Sequence, residues 1–213
     1  MKKLLLSLAL VAGLGTAVLA QNPVKLGVKA GVAFPNMSIS AGGLSIAFDS
    51  RTSFYVGGTA DIAISNIFSV QPGLTFISKG TKFNGDEFDF GDISTDANAA
   101  TLNLSYVEIP VNLLANFKVA NAGKVFFGGG PYYAFAVDAF AKSGSLKEDV
   151  DFDEDGFKRG DFGVNFLGGF QFNNKLNIHA GYGLGIGSVI DDQEEIDVKF
   201  KNKVFTVGLG FTF

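Results

Sequence analysis

The chain has no cysteine among its 213 residues. Disulfides, thiolate metal sites and a lipid-modified N-terminal cysteine are therefore all excluded. It has a single histidine, so the paired-histidine spacing of a metalloprotease cannot form, and no serine-nucleophile motif or cofactor-binding loop is present. Beyond residue 20 no stretch approaches the ~20 continuous apolar residues of a membrane helix. Leucine-rich helical periods are missing too. No basic stripe exists to neutralise phosphates, and the formal charge is -4, which argues against a nucleic-acid partner. What is abundant is glycine (28) and phenylalanine (23), a composition that suits strands better than a helical bundle.

At the N-terminus, Met1-Lys2-Lys3 precedes the apolar run Leu4 to Leu19, with Val18 and Ala20 as small residues before a cut. This reads as a secretory signal peptide over 1–20 and a mature domain over 21–213. Cleavage would remove two lysines and take the charge from -4 to -6.

The mature chain carries eight segments with period-two alternation. Val24 to Phe34, Phe54 to Ile64, Phe68 to Phe76 and Tyr106 to Phe117 make the first four. Val125 to Asp138, Phe162 to Phe172, Leu176 to Ile186 and Val204 to Phe213 make the rest. Leu102 and Leu104 fall out of phase with the fourth, which suggests a bulge or loop end near Ser105. The last strand ends on an aromatic, and such a strand needs a partner edge and apolar surroundings. An eight-stranded antiparallel up-and-down transmembrane β-barrel supplies both. Short connections at Ser65-Asn66, Lys118 to Lys124 and Asn173-Asn174 alternate with long ones at 35–53, 78–101, 139–161 and 187–202. In bacterial outer-membrane barrels short turns face the periplasm and long loops the exterior, and an even strand count returns both termini to the periplasm.

Alternation alone does not fix which face is inside, and a soluble ligand-carrying barrel would bury the apolar face. The small residues favour the membrane orientation. Gly181, Gly183 and Gly185 weaken a strand and gain a purpose only where a narrow interior needs room for other side chains. With the apolar face outward, Lys25, Lys29, Asp61, Gln71, Glu108, Asn112, Asn116 and His179 point into the lumen. Buried charges require partners, so Lys29 is expected to pair with Glu108 or Asp61. His179, close to a short turn, is expected to hydrogen-bond in the lumen and not to catalyse.

The long loops are acidic. Between Ser78 and Thr101, Lys79 and Lys82 stand against Asp86, Glu87, Asp89, Asp92 and Asp96. The run Asp151-Phe-Asp-Glu-Asp-Gly156 matches the opening of a calcium loop, making Asp151, Asp153 and Asp155 candidate ligands. Arg159 and Phe162 at the ninth and twelfth positions leave half a site, and a solvated acidic loop is the simpler reading.

The segments Leu26-Gly-Val-Lys-Ala-Gly-Val32, Tyr106-Val-Glu-Ile-Pro-Val111, Gly128-Gly-Gly-Pro-Tyr132 and Ala180-Gly-Tyr-Gly-Leu-Gly185 resemble the small outer-membrane β-barrels of the Bacteroidota, often called porin-family or outer membrane protein beta-barrel domain proteins. Phe54-Tyr-Val-Gly-Gly58 and Phe68-Ser-Val-Gln-Pro-Gly-Leu74 with Ser78-Lys-Gly80 carry the same resemblance. Gly73 stands where the family often has an acidic residue. The resemblance implies export through the Sec pathway to the outer membrane, with lipid as surroundings and no cofactor. It also implies that Thr206, Gly208, Phe211 and Phe213 form the signal read by the barrel-assembly machinery. The expected role is that of a monomeric, non-enzymatic structural or surface-interaction protein with a side-chain-filled lumen. A narrow solute channel or a component of a secretion or assembly machine are the alternatives.

Overall fold

The computed structural model describes residues 24–41, 44–83, 100–144, 146–150, 152, 156–190 and 198–213. The N-terminal segment, most of the 78–101 connection and the Asp151, Asp153 and Asp155 positions lie outside the described residues. Strands run over Val24–Ala41 (β1), Leu44–Ala47 (β2), Ser53–Ala63 (β3), Phe68–Phe83 (β4) and Ala100–Val119 (β5). They continue over Gly123–Ser143 (β6), Leu146–Asp149 (β7), Gly160–Phe172 (β8), Leu176–Gly185 (β9) and Val198–Thr212 (β10).

Eight of these form a closed antiparallel ring in which each long strand pairs with its neighbours and β10 returns to β1. The closing register is unbroken from Gly27 opposite Thr212 to Ala41 opposite Val198. The short strands β2 and β7 fold back on β1 and β6 as hairpin extensions at the long-loop end.

The apolar face points outward. Leu26 is 59% exposed, Phe54 57% and Leu209 63%, and every long strand contributes side chains to the same belt. A belt of this extent suits lipid and not water, so the soluble-carrier alternative fails. β4, β5 and β6 are 16, 20 and 21 residues long, far past the ~10 residues a membrane strand needs, and they take up residues 78–83, 100–101 and 139–143 of the expected long connections.

Above the belt the polarity of the two faces is reversed. Met37, Leu102, Leu104 and Ala139 are buried and form the interior of the protruding barrel. Phe48, Phe152 and Val189, one from each of three connections, pack into the same core. The backbone folds in with them, Phe48 N–H donating to the Met37 carbonyl at 2.9 Å. Leu102 and Leu104 thus keep the inward parity of β5. The register shift near Ser105 is real, but the extra residue is Val137 of β6, since Ser105 pairs with Asp138 and Tyr106 with Ala136. Chain phase is constant along β5, and it is the chemistry of the interior that changes.

Candidate functional site

Because successive strand residues alternate sides, each β-strand of the belt delivers every second residue to the lumen. The interior cavity measures about 110 Å³. Lys25, Lys29, Asp61, Gln71, Glu108, Asn112, Asn116 and His179 all line it. Lys25 and Asp61 are register partners near the short-turn end, as are Gln71 and Asn112. Asn116 accepts from Lys124 Nζ at 2.8 Å and donates to Ser69 Oγ at 3.0 Å.

The cavity stops at a buried ion cluster at the upper edge of the belt. Lys79 Nζ of β4 lies 2.9 Å from Glu108 Oε2 of β5 and 3.1 Å from Asp161 Oδ2 of β8. Lys79 and Asp161 are each 1% exposed. The ammonium sits 4.2 Å from the centroid of the Tyr132 ring and 5.2 Å from that of Tyr106, attracted by both π faces. Asn165 Nδ2 donates to Glu108 Oε1 at 3.0 Å. Asn202 Nδ2 and Tyr132 Oη donate to Asp161 Oδ2 at 3.0 and 3.3 Å. Four strands therefore meet at one lysine, and β10 joins the cluster through Asn202 and Asp161.

This corrects the expected pairing. Glu108 is held by Lys79 and not by Lys29, and Asp61 is in no ion pair among the described residues. Lys29 stands in the same hydrogen-bonded row as Glu108, which passes through Gly57 and Thr75, so two strands, β3 and β4, separate them. Its ammonium instead lies 5.9 Å from the Tyr55 ring centroid. Lys79 belongs to β4, which continues to Phe83, and not to the expected acidic loop. Continued at its own parity through Gln71, Thr75 and Ile77, the strand delivers Lys79 inside.

A second constellation spans the seam where the ring closes. Tyr55, Gly31, Gly208 and His179 occupy one continuous row of paired positions on β3, β1, β10 and β9. Tyr55 lies across the two glycines and its hydroxyl meets His179 Nε2 at 2.6 Å, while His179 Nδ1 meets Asn177 Oδ1 at 2.8 Å. An amide oxygen can only accept, so Nδ1 carries the proton and the Tyr55 hydroxyl donates to Nε2. The imidazole is thereby used at both nitrogens. Tyr55→Phe should cost about 1–3 kcal/mol by leaving Nε2 without a donor, measured as a fall in the urea midpoint of the barrel in lipid vesicles. The remaining residues of the C-terminal strand sit in the same seam: Thr206 opposes Ala33, and Phe213 donates its N–H to the Leu26 carbonyl at 2.8 Å.

Among the described residues no group of three or more His, Cys, Asp or Glu side chains could hold a metal ion.

The chain is similar to several solved structures and to one family of proteins. Among solved structures, Ail, the attachment invasion locus protein of Yersinia pestis, is 14% identical, with 89% of this chain and 98% of that chain covered and a TM-score of 0.43. Neisserial surface protein A is 16% identical over 88% and 97%, TM-score 0.46. The outer membrane protein OprG from Pseudomonas aeruginosa is 14% identical over 90% and 97%, TM-score 0.48. No curated protein matches the chain. The family described as "Outer membrane protein beta-barrel domain" matches residues 19–191, which takes in every strand from β1 to β9. With the outward apolar belt and the closed eight-stranded ring, that match places the chain in the bacterial outer membrane as a member of the outer membrane protein beta-barrel domain family.

Proposed function

We propose that this protein is a non-enzymatic, non-conducting barrel that anchors four long connections at the cell surface, where their acidic residues meet a partner or divalent cations. The observation that carries this reading is the blind lumen. The cavity ends at Lys79 and Glu108, with Asp161 paired to the lysine, and the barrel above it is filled by Met37, Leu102, Leu104 and the residues packed with them. An ion crossing it would have to break a buried charge cluster and then pass an apolar core, each an unfavourable step. An eight-stranded ring has room for little more than its own side chains. The short turns face the periplasm and the long connections the exterior, as in other bacterial barrels. The C-terminal strand, with Thr206, Gly208, Phe211 and Phe213, serves in this reading as the signal for the barrel-assembly machinery.

Planar-bilayer recording tests it. The refolded barrel should add no steady unitary conductance at any voltage that the bilayer itself tolerates. A reproducible conductance step would overturn the closed-lumen reading and favour a narrow solute channel.

A further inference from the structure

One face of the barrel carries a lysine ladder directly above its apolar belt. On β10, Asn202 and Val204 are buried at 1% and 4%, whereas Phe205, Val207 and Leu209 are 44%, 46% and 63% exposed. The register with β1 is continuous through this region, so the alternation puts Lys201 and Lys203 on the outward face with Phe205 and Val207. Lys199 continues the ladder and has contacts of its own. Consecutive rungs are about 6.8 Å apart along the strand. Opposite them on β1 stand Ser38 and Asn36, and beside Lys203 on β9 stands Leu184. Among the described residues neither Lys201 nor Lys203 is in an ion pair, and no acidic side chain of β1, β9 or β10 shares that level. The far side of the barrel differs. There Asp138 and Lys142 of β6 are both exposed, and Lys147 pairs with Asp149 at 3.1 Å.

We infer that Lys201 and Lys203 form a binding surface for a phosphate-bearing lipid, whose headgroup phosphate lies on the ladder while its acyl chains lie along Phe205, Val207 and Leu209. Two things on this face point to a lipid and not to a soluble anion. The cations begin where the apolar side chains end, which matches the order of headgroup and chain in a lipid. Lysine stems can also lie on the upper belt while their ammonium groups reach the phosphate plane. The reading depends on the proposed sidedness only for which leaflet supplies the lipid. Protease added to whole cells, cutting or sparing the long connections, tests that sidedness separately.

The test is a titration of the full barrel in detergent with diphosphorylated lipid A, read by native mass spectrometry. Each lysine at an anionic membrane surface is worth about fivefold in affinity, so K201Q/K203Q should bind roughly 25-fold more weakly, and K201R/K203R should keep the binding. Lipid A stripped of its phosphates should bind the parent no better than it binds K201Q/K203Q. In lipid-free detergent the parent and K201Q/K203Q should unfold at the same temperature. Unchanged lipid affinity in K201Q/K203Q, or equal binding of the dephosphorylated lipid, overturns the proposal. So does displacement by inorganic phosphate, which would mark a free-phosphate site. A drop in unfolding temperature of K201Q/K203Q without lipid would assign the lysines to internal pairing and overturn it as well.

Discussion

Lys79→Met removes about 3–5 kcal/mol of stability, measured by urea unfolding of the barrel in lipid vesicles. Methionine nearly matches the lysine stem in volume, so the loss comes from charge and not from a cavity. Glu108 and Asp161 are 6% and 1% exposed, and both direct an oxygen at Lys79 Nζ within 3.1 Å. Without that ammonium, two carboxylates remain in a protein interior bounded by lipid, held only by Asn165, Asn202 and Tyr132. A buried pair is costly to break by halves and often nearly neutral to replace entirely. The neutral combination K79M/E108Q/D161N should therefore recover most of the loss. If K79M unfolds at the same urea concentration as the parent, the cluster contributes nothing to stability and the lumen must be wetter than its burial implies.

The ring itself was legible because lipid imposes a simple code: apolar side chains out, small and polar side chains in, repeated once per strand. Leu26 to Phe34 and Phe205 to Phe213 display it without ambiguity, and the turns at Ser65-Asn66 and Asn173-Asn174 mark where it reverses. The code holds only within the belt. Above it the outward face meets water and the inward face is a small protein core, so Met37, Leu102 and Leu104 sit inside on the same parity that carries Lys29 and Glu108 lower down. Read by hydrophobicity alone, that exchange imitates the end of a strand. β1, β4, β5, β6 and β10 therefore all extend past the segments that alternation of hydrophobicity marks.

The same exchange hides half of the lumen site. Gln71, Glu108, Asn112 and His179 lie within the belt, where alternation assigns them inward directly. Lys79 and Asp161 lie at its upper edge, in stretches whose composition reads as loop, which leaves Lys29 and not Lys79 as the expected cation for Glu108. The available signal was parity: Thr75, Ile77 and Lys79 follow Gln71 at intervals of two, and Asp161 precedes Gly163 and Asn165 in the same way. A buried glutamate needs a cation, and extending each strand at constant parity before choosing one would have found it.

Gly208→Val should abolish the folded barrel, seen as loss of the compact, heat-modifiable band on gel electrophoresis after refolding into vesicles. Gly208 faces Gly31 directly across the seam. A Cβ on Gly208 would meet the Tyr55 hydroxyl and the Ala30 carbonyl, with Tyr55 Cζ at 3.0 Å. A Cβ on Gly31 would meet Gly208 Cα at 2.6 Å and Tyr55 Cε1 at 2.8 Å. Tyr55 is 3% exposed and must cross both strands to reach His179, a distance of three strand spacings, about 14 Å, bridged from both ends. Only a glycine pair leaves that path open, and the hydroxyl of Tyr55 is fixed in place by its bond to the imidazole. Overpacking by one methyl typically costs about 1–3 kcal/mol, so Gly208→Ala should fold with reduced stability, while valine adds two further carbons to a seam that its Cβ already overfills. Tyr55→Ala should restore part of the folding of Gly208→Val by clearing the ring, but not all of it, because the Ala30 carbonyl remains. Full folding of Gly208→Val with Tyr55 intact would show that the seam has slack, and that the last strand pairs with the first without the aromatic bridge laid over their glycines.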